Sequence, residues 1–155
     1  MEIAEHLKKI ARYEDLMGRL DKIEDFELRV WASMNAATNA LNAVLHHLGV
    51  TDPGNHFPHQ IPGIYVEPKK KNGTWRKVIV PPGDVIHIGY PPIKAEIPEA
   101  VAHMMGPLHI IEGVRESHIR GDAAITADLA SRCDEAYETC MSHARSILSD
   151  PSGDR

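Results

Sequence analysis

Aromatic residues, cysteines and long apolar runs are all scarce in this sequence. Aromatic residues make up 5% of the 155 residues, and no run of eighteen or more apolar residues occurs, so no membrane-spanning helix is predicted. Cys133 and Cys140 lie seven positions apart on a predicted helix, about 10 Å along its axis, which is too far for a mutual disulfide. No basic segment followed by an apolar one opens the sequence, so a cytoplasmic location is expected.

Charge is missing from one segment and unevenly distributed over the others. Residues 31–50 contain no Asp, Glu, Lys or Arg, although the chain carries 22 acidic and 17 basic residues. Residues 51–98 contain six basic and four acidic residues, whereas residues 99–155 contain five basic and ten acidic ones. The net charge of -5 argues against nucleic-acid binding by the whole surface, and it averages over a basic insert and an acidic C-terminal half.

Apolar residues at three- and four-residue steps predict four amphipathic helices. They cover residues 2–20, 26–48, 98–121 and 126–148. In the first helix the apolar positions are Ile3, Leu7, Ile10, Met17 and Leu20. Gly49 predicts the end of the second helix, and Gly106-Pro107 a kink in the third. The predicted fold class is mainly α, an antiparallel four-helix bundle in which residues 1–150 form a single domain and residues 151–155 a flexible tail.

Residues 51–97, between the second and third helices, are rich in helix-breaking residues. Nine of the eleven prolines and five of the eleven glycines lie between residues 50 and 98. Two strand-like segments, 64–66 and 75–80, flank Asn72-Gly73, a dipeptide typical of hairpin turns. A third short strand is expected at 85–88. The insertion is therefore predicted to be a β-hairpin or small sheet.

The uncharged second helix has an apolar face and a polar face. The polar face carries Trp31, Asn35, Asn39, Asn42 and His46. Asparagine is a mediocre helix former, so three on one stripe need a reason beyond helix propensity. Two interpretations stay open: the face packs against a neighbour, as in a homodimer, or it lines a pocket between helices 2 and 3 that binds a small polar molecule.

Arg115 and His118 lie on the predicted inward face of the third helix. A buried guanidinium requires a partner, so Arg115 is a candidate for holding an anionic group. His118 is a candidate acid or base, because histidine titrates near neutral pH. The alternative is that both side chains reach water at the end of the helix.

Three of the ten histidines are candidate metal ligands: His46, His56 and His59 lie within 14 residues. The segment His56-Phe57-Pro58-His59 offers two imidazoles to one ion, as zinc or iron sites require. No HExxH and no paired ExxH motif is present, so surface or hydrogen-bonded histidines are the other interpretation.

The insertion also carries a basic patch beside a tryptophan. Its residues are Lys69, Lys70, Lys71, Trp75, Arg76 and Lys77. Such a patch can bind RNA phosphates while the indole stacks on a base. It can equally be a solvated tip whose lysines discourage aggregation.

The sequence resembles HEPN-type bundles in three features. These are an alanine-rich second helix ending in Leu45-His46-His47-Leu48-Gly49, the pair Arg115 and His118, and the segment 129–136 of the last helix. Many HEPN proteins are dimeric RNases or their inactive relatives, so the resemblance implies a helical bundle and dimerisation. In active members a polar residue, often Asn, follows the arginine, and the histidine comes four to six positions after it. Here Glu116 follows Arg115, and His118 comes after three positions.

These features predict a small-molecule-binding helical bundle whose catalytic activity and cofactor stay open. Arg115 and His118 are its candidate catalytic residues, and the polar face of helix 2 is its binding surface. One alternative is a HEPN-like dimeric interaction or RNA-processing module. The other is a metal-binding hydrolase built around His46, His56 and His59.

Overall fold

A computed structural model describes residues 1–53, 64–67, 76–79, 84–85 and 96–150. The described residues form four α-helices: α1 (Ile3–Met17), α2 (Phe26–His47), α3 (Glu99–Gly113) and α4 (Ala127–Leu148). A π-helical turn, Arg115–Ile119, follows α3. Two four-residue strands, β1 (Ile64–Glu67) and β2 (Arg76–Ile79), pair antiparallel with Ile64 opposite Ile79.

Two helix ends match the sequence signals, whereas α1 and α3 end earlier than predicted. Gly49 follows α2 with a φ of 66°, the left-handed conformation that glycine adopts at helix C-termini. The hydroxyl of Thr126 accepts a hydrogen bond from the backbone N–H of Leu129, so Thr126 caps α4. Helix α3 continues through Pro107 to Gly113, and the π-helical turn replaces its last predicted turns.

Contacts between helices define the bundle. Arg29 bonds the carbonyl of Met17, while Asn39 bonds His6, so α1 and α2 are antiparallel. Helix α2 contacts each of the other three helices, and 15 of its 22 residues are buried. This central position explains why residues 31–50 carry no charge, because an unpaired buried charge is costly.

No helix among the described residues is both long enough and apolar enough to cross a membrane.

The structure corrects the predicted β-hairpin or small-sheet insertion: the described residues form a helical bundle, and the connection that would make β1 and β2 a hairpin is not among them. Only the two short strands are described between residues 54 and 83, and the predicted turn at Asn72-Gly73 lies outside the described residues. Val85, the predicted start of a third strand, is not in a strand. Its backbone N–H and C=O are bound by the side chain of Asn42, which occupies the groups that a neighbouring strand would use. The predicted tail, residues 151–155, also lies outside the described part of the chain.

Candidate metal centre

His6, His46 and Asp84 meet in one buried cluster. Asp84 Oδ1 lies 2.8 Å from His46 Nε2 and 3.3 Å from His6 Nε2. The exposed fractions are 1% for His6, 6% for His46 and 5% for Asp84. Buried polar groups of this kind require hydrogen-bond partners, and Asp84 is a partner of both histidines.

Helix α1 supplies His6 from its core-facing stripe. The stripe consists of His6, Ile10, Tyr13 and Met17, which follow one another at steps of four, three and four. His6, Ile10 and Met17 are buried, and Tyr13 packs against the core. Amphipathic packing of α1 against α2 therefore carries an imidazole into the bundle at a position that usually holds an apolar residue.

Asn39 determines which nitrogen of His6 carries a hydrogen. Its amide nitrogen donates to the carbonyl of Asn35 at 2.7 Å, so its Oδ1 is the atom 2.8 Å from His6 Nδ1. An amide oxygen only accepts, and the hydrogen therefore lies on His6 Nδ1. With that hydrogen on Nδ1, His6 Nε2 is the nitrogen that faces Asp84 Oδ1, 3.3 Å away.

Metal-binding histidines are commonly held in this way. One ring N–H bonds an oxygen of the protein, and the other nitrogen is left to face the ion. In this cluster, Asn39 holds the ring through Nδ1, and His6 Nε2 is the nitrogen left to face an ion beside Asp84.

His46 comes from the last turn of α2. Its Nε2 faces Asp84, and its Nδ1 lies 2.7 Å from the hydroxyl of Thr51, which is also buried. A threonine hydroxyl can donate or accept, so it is compatible with either tautomer of the imidazole. The loop after α2 thereby orients the second histidine, as Asn39 orients the first.

Asp84 remains ionised in the cluster. Burial alone would raise the pKa of its carboxyl, but hydrogen bonds from His46, from His6 and from the α-amino group of Met1 hold that pKa well below its usual value. The amino nitrogen of Met1 lies 2.8 Å from Oδ1. A carboxylate beside two imidazoles is a donor set that zinc and other divalent transition metals accept.

The spacing of these atoms also fits one ion. The three ligand atoms all lie within 4.8 Å of one another. Tetrahedral zinc places neighbouring nitrogen and oxygen ligands about 3.3 Å apart, which equals the separation of His6 Nε2 and Asp84 Oδ1. The shorter distance to His46 is that of a hydrogen bond, and it would widen by about 0.5 Å if an ion replaced the proton.

The structure divides the predicted polar face of α2 between two regions. Asn39, Asn42 and His46 converge on the cluster, directly or through Val85. Asn35 bonds the carbonyl of Trp31 in its own helix. Trp31 is 37% exposed and belongs to the second region, beside Arg115 of the π-helical turn. The predicted pocket between α2 and α3 stays a prediction.

Arg115 and His118 both lie in the π-helical turn rather than in α3. The guanidinium of Arg115 stacks on Trp31, 5.5 Å from the ring centre, and its buried Nε bonds no acceptor in the described part of the chain. His118 Nδ1 lies 2.7 Å from the hydroxyl of Ser117. Their roles as anion holder and acid or base stay predictions.

Several residues of the predicted sites lie outside the part of the chain whose side chains are described. The candidate ligands His56 and His59, and four residues of the basic patch, lie outside the described residues; those four are Lys69, Lys70, Lys71 and Trp75. Arg76 and Lys77 belong to β2, for which only the backbone is described.

Comparison with known proteins supplies no relative: the chain matches no family model, no curated protein and no solved structure. The resemblance to HEPN bundles stays a prediction that rests on the helices.

Proposed function

We propose that this protein is a metalloprotein that binds a divalent transition-metal ion, zinc above all, through His6, His46 and Asp84. The observation that carries the proposal is the buried convergence of His6, His46 and Asp84, which place one ligand atom each within 4.8 Å of one another. Asn39 holds His6 in the tautomer that a metal ligand needs. This set shares only His46 with the trio His46, His56 and His59 predicted from the sequence.

Three protein ligands leave a coordination position for water or a substrate. Structural zinc sites usually have four protein ligands, whereas catalytic sites have three and bind water at the fourth position. A zinc ion held by His6, His46 and Asp84 would act as a Lewis acid that activates water for hydrolysis. Metal-assisted hydrolysis is thus the reaction class that this ligand set favours.

Zinc titration of protein freed of metal by a chelator tests the proposal. Isothermal titration calorimetry should give one zinc per chain. Binding should be lost or at least tenfold weaker in His6→Leu, His46→Leu and Asp84→Ala. His47→Leu is the matched control, because His47 neighbours His46 on α2 but bonds the carbonyl of Asp150 instead of the cluster. Absence of binding, or equal affinity in all four variants, would contradict the proposal.

Thermal unfolding gives a second measurement of the same site. An ion that binds only the folded chain stabilises it by about 2.7 kcal/mol when free zinc exceeds Kd a hundredfold. The melting temperature should therefore rise with zinc in the wild type and in His47→Leu but not in His46→Leu. Circular dichroism before heating establishes that each variant is folded.

A further inference from the structure

We infer that Asn42 is a positioning residue that holds Asp84 in the metal centre and couples residues 84–85 to metal binding. The inference rests on the proposed function. Asn42 Nδ2 donates to the carbonyl of Val85 at 2.9 Å, and the N–H of Val85 donates to Asn42 Oδ1 at 2.7 Å. Both contacts are buried, and Asn42 itself is 3% exposed.

The paired bonds fix the direction of the peptide that follows Asp84. Two parallel hydrogen bonds from one planar amide fix both the position and the orientation of the Val85 backbone, as hydrogen bonds from a neighbouring strand would. Asp84 directly precedes Val85, so its Cα is held against α2 while its carboxylate extends to the histidines. The hydrogen bonds described for the Asn42 side chain are both to Val85, so it acts on the site through Val85.

Each of the three converging polar residues of α2 therefore serves one ligand. Asn39 orients His6, Asn42 holds the segment that supplies Asp84, and His46 is itself a ligand. Their steps of three and four residues place them on one face of the helix. Asp84 lies 38 positions from His46 in the chain, so a local anchor is needed to bring it to a site built on α1 and α2.

A comparison of two asparagine variants on the same stripe tests this role. Asn42→Leu keeps the approximate volume and removes both bonds to Val85. Asn35→Leu is the matched control, because the hydrogen bond described for the Asn35 side chain is to the carbonyl of Trp31, and the backbone carbonyl that accepts from Asn39 is kept. Titration with Co²⁺, whose visible spectrum reports ligand number and type, measures affinity and coordination together.

Asn42→Leu should bind Co²⁺ about 10- to 100-fold more weakly than the wild type, the range typical of changes to residues that support metal ligands. Its spectrum should resemble that of Asp84→Ala, since both lose the carboxylate ligand. Asn35→Leu should keep the affinity and spectrum of the wild type. A wild-type spectrum and affinity in Asn42→Leu would overturn the inference while leaving the metal site intact. Absence of Co²⁺ and Zn²⁺ binding by the wild type would instead overturn the proposed function.

Hydrogen exchange in the wild-type protein tests the coupling even if Asn42→Leu does not fold. If opening of residues 84–85 requires release of the ion, exchange of the Val85 amide should slow about a hundredfold when free zinc exceeds Kd a hundredfold. The amide of Ile23, which donates to Asp21 beyond the other end of α1, is the control and should not change. Equal Val85 exchange with and without bound zinc would overturn the coupling.

Discussion

Replacing Asp84 by alanine should destabilise the metal-free protein by about 3–5 kcal/mol, the cost of removing one partner from a buried charged pair. Asp84 accepts from two imidazoles that are almost completely buried. Without it, each of the two buried imidazole groups loses one of its two partners, at about 1–3 kcal/mol each. The two estimates of the lost unfolding free energy agree, and both are a large part of the total stability of a small domain.

Urea unfolding in the presence of a chelator measures this loss, with far-UV circular dichroism as the signal. A double-mutant cycle with His46→Leu should show a coupling energy of about 0.5–3 kcal/mol, because Asp84 and His46 are in direct contact. The buried contact would be refuted if Asp84→Ala lowered the free energy of unfolding by less than about 0.5 kcal/mol. It would also be refuted if the effects of the two variants were additive.

An apolar replacement of the whole cluster sharpens the argument. Leucine at His6, His46 and Asp84 together should leave the metal-free protein about as stable as the wild type, or more stable, because well-packed apolar residues often match buried ion pairs. A triple variant less stable than Asp84→Ala would mean that the cluster is needed for folding itself. Unchanged or raised stability would support a cluster retained for binding.

Three further predictions concern the rest of the bundle. Arg29→Met should lower the free energy of unfolding by about 2 kcal/mol in urea titrations at neutral pH, because Arg29 donates to two backbone carbonyls at the end of α1 and to Asp134; a loss near zero would contradict these contacts. Burial alone would raise the pKa of Asp134, but hydrogen bonds from Lys22 and Arg29 hold that pKa below its usual value. Its ionised form therefore adds stability that is present above the ordinary aspartate pKa and is lost as the pH falls through the lower pKa of the folded state. The difference in unfolding free energy between the wild type and Asp134→Asn should shrink below about pH 4, and a difference that grows there would be contrary evidence. Burial raises the pKa of Cys140 to about 12 and also raises that of Cys133, so both thiols should react with a disulfide reagent at pH 8 only as fast as the chain unfolds; rapid labelling of the folded protein would disprove this.

The first helix shows how far hydrophobic periodicity reaches. Its existence was predictable, but the predicted stripe included Leu7, which is 45% exposed, and omitted His6, which is 1% exposed. Steps of four, three and four from His6 through Ile10 and Tyr13 to Met17 are a signal that the sequence contains. It is missed when histidine is counted as polar, since an imidazole can occupy a core position if its nitrogens have partners.

The sequence by itself determined the four helices, two of their terminal signals and the uncharged, asparagine-rich stripe of α2, because each depends on residues within a few turns of one another. It also marked Asn39, Asn42 and His46 as residues that need an explanation. Only the tertiary structure decided what they meet. Asp84 lies 78 positions from His6, in a proline-rich segment with no helical pattern, so no local periodicity relates the two. The tertiary structure brings them together, since α1 packs against α2 and the Asn42 side chain on α2 binds the backbone of Val85, next to Asp84.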